Sequence, residues 1–505
     1  MTTPPLHDAP QKDISKQVIA GASWLISMRW GGRLIGLVST MVLARLLTPN
    51  DFGIVAIATS YIGIILGVSS LNISQAIIQF KEVDHSVYDT SWTLGIIRGV
   101  ILAVIILISA IPLANIMNEP RLILVVVALS ASSVITGFEN PYFVAFEKNL
   151  QFSKLVILEI ATKVAAVSTT ITLAIIFQNY WALIGGMIVS TLLRVILSFI
   201  LRPERPHLSL VATRKLFGFT VWLSGNRILT EVNTRFFNFV IGAVVGVAPT
   251  GKFHMSMELS DLVNEFQGPL ARVVYSAYSK MNDNIERLIA AYVTAASIVF
   301  SLVLPAGVGL ALVSRDFILL VLGEQWLSIA PYFAIFCVMI GLTSIVSTVD
   351  SLLISLGRQK QVFYRELVLS GVTLIGISVA VFYGSLMAFV IARFVSGLSW
   401  GILSQYFVQR DVGNMVGRML IIRNWRVVIS VLSMVLLVNL LQDNIAETLD
   451  YRDTMIRLAV SIFVGAISYL GVLLALWRIS GKPDGTEEWM MKNILHKIMP
   501  RKKFN

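Results

Sequence analysis

The sequence predicts an all-α polytopic membrane protein of about fourteen helices, and three observations carry that prediction. Apolar runs of about twenty residues recur from one end of the chain to the other. Only 14% of the 505 residues are charged, against 56% hydrophobic. Most of the Lys and Arg fall between the runs, on alternate sides of them, as membrane topology requires. The net charge of +11 is thereby accounted for by topology, and nucleic acid is not expected as a partner.

The first sixteen residues are polar, with Asp8, Lys12, Asp13 and Lys16. The first apolar segment holds two arginines and lacks a small-residue cleavage site, so it reads as a retained first span rather than a signal peptide. The spans then run over 19–43, 52–79, 91–116, 122–145, 155–177, 181–201, 217–246, 252–275, 287–312, 328–355, 362–383, 385–408, 424–441 and 455–477. An even number places both ends on one side. That side carries Arg202, Arg205, Arg214, Lys215, Arg358, Lys360, Arg365, Arg410, Arg418, Arg423 and the basic tail, whereas the opposite loops hold little more than Arg45, Arg121, Lys252, Arg315 and Arg452. Both termini are therefore expected in the cytoplasm. The two longest loops, near 202–216 and 409–423, are basic enough to rest on anionic headgroups.

An internal repeat divides the chain. Trp24-Leu25 before Arg29 returns as Trp222-Leu223 before Arg227, and the turn Thr48-Pro49-Asn50-Asp51-Phe52 is echoed by Ala248-Pro249-Thr250-Gly251-Lys252-Phe253. The offset of about 200 residues is six spans, an even number, so the copies are parallel. The expected organisation is a cytoplasmic tail (1–16), an N-lobe of helices 1–6 (17–216), a C-lobe of helices 7–12 (217–410), helices 13 and 14 (411–478) and a basic cytoplasmic tail (479–505).

Charges inside spans mark the candidate site, because each costs roughly 2.5–3.5 kcal/mol at the bilayer centre unless it faces protein or water. Arg29 and Arg33 lie four apart on one face of span 1, and Arg98 of span 3 belongs to the same lobe. Span 7 is the most polar, with Arg227, Glu231 and Arg235 spaced by four: either a self-neutralising ladder or cations for an anionic cargo. Span 8 carries Glu258, Asp261, Glu265 and Arg272 on one stripe, whose acids must share protons, bind a cation or serve the structure. Glu159 and Lys163 are expected to pair, while Arg194, Asp350 and Arg393 stand singly in their spans. The five histidines show no metal-ligand spacing, and neither a phosphate-cradling glycine loop nor a nucleophile elbow is present, so neither an enzyme nor a cofactor is expected. Cys337 is the sole cysteine and reads as packing.

Ala44-Arg45-Leu46-Leu47-Thr48-Pro49-Asn50-Asp51-Phe52-Gly53 resembles the polysaccharide transporters, the Wzx-type lipid-linked oligosaccharide flippases of the MOP superfamily, in their colanic acid and succinoglycan exporter-like branch. Ala76-Ile77-Ile78-Gln79 before Lys81-Glu82, Gly323-Glu324-Gln325-Trp326 and Ser351-Leu352-Leu353-Ile354-Ser355-Leu356-Gly357-Arg358 extend the likeness over roughly residues 17–410. The resemblance implies two lobes around a central cavity in the bacterial inner membrane, alternately open to cytoplasm and periplasm, and an undecaprenyl-diphosphate-linked repeat unit as cargo. It also implies a tail groove on helices 13 and 14. Arg29, Arg33, Arg98, Arg227, Arg235 and Arg272 are then the expected cationic cavity, with Glu231, Glu258, Asp261 and Glu265 for proton or sodium coupling. Membrane lipids and the polysaccharide polymerase and export machinery are the further expected partners. Alternatives are a cation-coupled multidrug exporter of the same superfamily, whose usual cationic cargo the arginines oppose, and a membrane glycan polymerase or ligase, which needs a large periplasmic loop that this chain lacks.

Overall fold

The computed structural model describes residues 30–69, 77–78, 83–149, 151–265, 267, 274, 277–278, 281, 284–413, 415–444 and 450–482, with the side chains of 152 and 215–227 left out. The regular structure of the described residues is helical, with no strand among them. Ten of their helices are long and apolar enough to cross a membrane, or eleven if a pair bent by 65° counts as one span. The protein is thus an all-α multi-pass membrane protein.

The chain forms two compact units, Met1–Gly251 and Lys252–Asn505. In the first, α1 (30–46) leads into α2 (Pro49–Val68), α3 (His85–Ile116) and α4 (Arg121–Gly137). A bend after α4 leads through Pro141–Phe143 to α5 (Val144–Lys148), followed by α6 (Phe152–Phe177), α7 (Trp181–Leu201) and α8 (Thr213–Val244). The first turn of α9 (Val247–Asn264) completes the unit. Ile54, Ile57 and Ala58 of α2, Ile106 and Leu113 of α3, Val125 and Val126 of α4 and Ile184 of α7 form an apolar core.

The Thr48–Gly53 turn shows how locally encoded chemistry starts a span. Pro49 sits in the first turn of α2, where its missing N–H is not needed. Thr48 and Asp51 cap reciprocally: the Thr48 N–H (3.0 Å) and hydroxyl (2.6 Å) donate to Asp51 Oδ2, and the Asp51 N–H donates to Thr48 Oγ1 (3.3 Å). The second Asp51 oxygen accepts the Tyr180 N–H at the start of α7 (3.1 Å). Asp51→Ala is therefore expected to cost about 1–2 kcal/mol, read as a lowered melting temperature of the purified protein in detergent.

The repeat is visible in the same place. α9 begins at Val247, 198 positions after Pro49, and Gly251 follows Gly53 by the same interval, as Trp222 follows Trp24. A Cβ on Gly53 would collide with the Val247 carbonyl, and one on Gly251 with the Pro49 carbonyl. Each contact is the other with its two copies exchanged, as in a self-complementary dimer interface.

In the second unit, α10 (Ile285–Leu312) is followed by α11 (Ser314–Val321), α12 (Ala330–Thr343), α13 (Val349–Ser355), α14 (Gln359–Tyr383), α15 (Leu386–Val412), α16 (Met415–Asp443) and α17 (Tyr451–Ile479). One core joins Leu288 and Tyr292 of α10 with Val349 and Leu352 of α13, Phe407 and Val408 of α15 and Leu420 of α16. A second joins Phe300 and Leu304 of α10 with Val431 and Met434 of α16 and Leu473 of α17. Burial pushes the Asp316 carboxyl of α11 above the usual carboxylate range, against the pull of Arg457 of α17 at 3.0 Å. Gly384, at φ 60°, closes α14, and the Ser385 hydroxyl caps α15.

Several expectations need correcting. α2 ends at Val68, well before 79, and α3 starts at His85, six residues before the apolar run. The expected loop over 409–423 does not exist: α15 continues to Val412 and α16 starts at Met415, so Arg418 and Arg423 are helical. Arg365, counted among the loop cations, is 1% exposed on α14. The 202–216 connection is non-helical only to Ala212, and α8 begins at Thr213.

Candidate functional site

The candidate site of the first unit is built on one face of α2. Ser60, Gly63 and Gly67, spaced by three and four, make a strip of small residues along that face. Against it lies the polar stripe of α8, Glu231, Arg235 and Asn238, with the matching spacing. Asn238 Nδ2 donates to Ser60 Oγ (3.0 Å), and Arg235 Nη1 to the Thr59 carbonyl (3.5 Å). Gly63 is occupied by the Arg235 guanidinium and Gly67 by the Glu231 stem, so a Cβ at either place would collide. Only such a strip lets two charged side chains lie between close helices.

Arg235 Nε donates to Glu231 Oε2 at 2.7 Å, and both side chains stay partly exposed, at 38% and 28%. Of the ladder expected on this helix, the Glu231–Arg235 rung is therefore formed. Arg98 of α3 reaches the same end of α2: its Nη2 donates to the Leu66 carbonyl (3.0 Å), and its Nε and Nη2 to Ser69 Oγ (3.2 Å each). A cation on the last carbonyls of a helix is favoured by the helix dipole. Two guanidiniums and one carboxylate thus line the last two turns of α2.

The other expected cations are placed less closely. Arg33 is half-buried on α1, where Gly32 and Gly36 lie against the Lys163 ammonium of α6. Arg29 and Arg272 lie outside the described residues, and so does the side chain of Arg227, whose backbone belongs to α8.

In the second unit, Glu258 is exposed on α9, Asp261 is half-buried and accepts from Asn264 Nδ2 (2.8 Å), and Glu265 follows the last turn. Arg393 of α15 lies within electrostatic reach of Asp261, so it does not stand singly as expected. Among the described residues, no three His, Cys, Asp or Glu side chains converge so as to hold a metal ion.

Two more charge clusters depart from expectation. Glu159 pairs with Arg194 of α7 (2.7 Å) rather than with Lys163, and Arg194 also binds Glu139 (3.0 Å). Asp350 of α13 is bound by Arg365 of α14, which also donates to Glu366 (2.7 Å) and to Ser404 Oγ of α15 (3.2 Å) and lies over the Trp400 ring. Helical spacing on α15 puts Trp400 and Ser404 on one face, but nothing local in the sequence joins them to Arg365.

The profile of a family described as "Polysaccharide biosynthesis protein" matches residues 42–331, more than half of the chain. The lipopolysaccharide biosynthesis protein WzxC of Escherichia coli (strain K12) is 27% identical over 350 residues, 68% of this chain and 71% of that protein. The succinoglycan biosynthesis transport protein ExoT of Rhizobium meliloti (strain 1021) is 20% identical over 377 residues, 74% of this chain and 76% of that one. In three dimensions the fold is similar to the lipid II flippase MurJ in an inward closed conformation, with a TM-score of 0.73 and 14% identity over 90% of this chain and 99% of that chain. An inward-facing multidrug resistance MATE family transporter of the MOP superfamily gives a TM-score of 0.54 at 16% identity, over 76% of this chain and 98% of that chain. The chain belongs to the polysaccharide biosynthesis protein family.

Proposed function

We propose that this protein is a non-enzymatic flippase of the bacterial inner membrane that moves undecaprenyl-diphosphate-linked oligosaccharide repeat units to the outer leaflet by alternating access. The observation that carries the reading is the gathering of Arg98 and Arg235, with Glu231 between Gly67 and Arg235, on the last two turns of α2. A diphosphate leaving the headgroup layer needs cations that hold it in a medium of low dielectric, and guanidiniums are suited to phosphate oxygens. The Glu231–Arg235 pair keeps Arg235 neutralised until a stronger anion displaces the carboxylate, a site that opens for its cargo. Lipopolysaccharide and succinoglycan biosynthesis, named for the two relatives, fit a lipid-linked glycan as cargo.

Finer features belong to the same proposal. Adding α1, α8 and α9, which are outside the apolar set, to the ten spans and the bent pair gives fourteen helices. Both termini are cytoplasmic, which places the Arg98 end of α2 toward the cytoplasmic leaflet, where the cargo is made. Proton or sodium coupling is assigned to Glu231 in the first unit and to Glu258, Asp261 and Glu265 in the second.

Arg235→Ala and Arg98→Ala, each at normal protein level in the membrane, should reduce export roughly tenfold or more, since a charge-assisted contact contributes about 1.5–3 kcal/mol. The measurement is the build-up of lipid-linked oligosaccharide. Wild-type export by both variants would remove these arginines from the path.

A further inference from the structure

The connection between α7 and α8 is an ordered strap. Residues 202–210 belong to no helix or strand, and three backbone N–H groups beyond Pro206 are bound by one face of α3: His207 donates to Asp89 Oδ1 (3.0 Å), Ser209 to Thr93 Oγ1 (2.9 Å) and Ala212 to Thr90 Oγ1 (3.1 Å). Upstream, Asn140, itself buried, donates to the carbonyls of Arg202 (2.8 Å) and Glu204 (3.0 Å). Ala212 is buried with Tyr88 and Tyr142. Pinned in this way, the strap turns Leu208, Leu210 and Val211 outward, at 73%, 54% and 85% exposure. Arg205, His207 and Arg214 are exposed around them.

Three large apolar side chains on an irregular polar segment would be costly in water. The length of α3 sets the depth at which they lie. Its exposed apolar side chains run from Ile97 to Ile116, about 20 residues or roughly 30 Å, enough to cross the hydrocarbon by themselves. The residues before Ile97 include His85, Asp89, Thr90, Trp92 and Thr93, and they stand beyond it. At 1.5 Å per residue, Thr93 is about 6 Å and Asp89 about 12 Å past the hydrocarbon edge, the depth of the headgroups. The strap hydrogen-bonds at those two levels. Trp92, whose indole donates to the Phe138 carbonyl (3.3 Å), is an interfacial residue by type.

We infer that the 202–212 strap, with Arg214 in the first turn of α8, is a lipid-anchoring surface: Leu208, Leu210 and Val211 dip to the acyl boundary, and Arg205 and Arg214 grip the phosphates of anionic phospholipids. The partner is an anionic leaflet, because exposed cationic side chains flank exposed apolar ones on one stretch held at headgroup depth. The anchor goes beyond cargo transport and stands whether or not the flippase reading does. It fixes α3, and with it Arg98, at constant depth.

The test uses the full chain with Cys337→Ala and either Leu208→Cys or Val211→Cys, labelled with bimane and reconstituted in liposomes. Neither position contributes to the hydrogen bonds that pin the strap. Acyl-chain-brominated phosphatidylglycerol should quench both labels more than brominated phosphatidylcholine does, and aqueous iodide should quench them little. In the Arg205→Gln/Arg214→Gln background the preference for the anionic lipid should fall by about fivefold for each arginine removed. Strong iodide quenching in pure liposomes would overturn the proposal, and protection appearing only in native membranes would point to a protein partner instead. Equal quenching by the two lipids in the parent protein would overturn its anionic part.

Discussion

Arg365→Ala is expected to lower the unfolding free energy by about 3–5 kcal/mol, the cost of leaving a buried charge unpaired. The Arg365 side chain is 1% exposed and Glu366 9%, so the carboxylate left behind has little access to water, whereas half-exposed Asp350 can be resolvated. The same substitution removes the link among α13, α14 and α15, because Ser404 and the Trp400 ring lose their partner too. Denaturation of the purified protein in detergent measures it. Arg365→Lys should fall between wild type and alanine, since a point charge replaces a planar fork that serves two acids at once. Combining Arg365→Ala with Glu366→Gln should recover part of the loss, and an additive double mutant would mean that Glu366 is not the stranded charge.

Gly53→Ala and Gly251→Ala are each expected to cost about 1–3 kcal/mol or more, although each adds one methyl group. The obstacle is a backbone carbonyl in both cases, Val247 for the first and Pro49 for the second, and backbone at the start of a helix cannot move aside as a flexible side chain would. Because the two contacts mirror one another, either substitution displaces the same pair of turns. The double variant should therefore lose less than the sum of the single losses. Fluorescence-detected thermostability of the four proteins, wild type included, decides it; additive losses would show that the two glycines act in separate places.

The parts of this molecule legible in its sequence are those encoded within one or two turns. Thr48, Pro49 and Asp51 announce the start of α2, and Glu231 and Arg235, four apart, form the pair that helical spacing allows. Pro203 and Pro206 mark the strap as non-helical, but nothing in them says that its N–H groups go to Asp89, Thr90 and Thr93, more than a hundred residues earlier. Long-range partners were the least readable. Glu159 has a lysine one turn away and binds an arginine 35 residues on; Asp350 has its arginine 15 residues on. Counting charges to assign membrane sides treats Arg365 as a solvated cation, because the rule sees position along the chain and not burial. Hydropathy placed the start of α3 late for a related reason: its polar first turns belong to the helix but not to the hydrocarbon.

The strip of small residues on α2 also bears on how the protein is made. α8 carries Arg227, Glu231 and Arg235 and is a poor candidate for spontaneous partitioning into lipid. Its partner face on α2 leaves the ribosome roughly 170 residues, or about 10–30 s, earlier. During that interval Gly63 and Gly67 present only a shallow apolar notch, which costs nothing in lipid, and the charged helix meets a finished receptor when it arrives. The reverse order along the chain would strand the charges in the bilayer. Synthesis in this direction lets an early, inert helix act as the chaperone of a late, polar one.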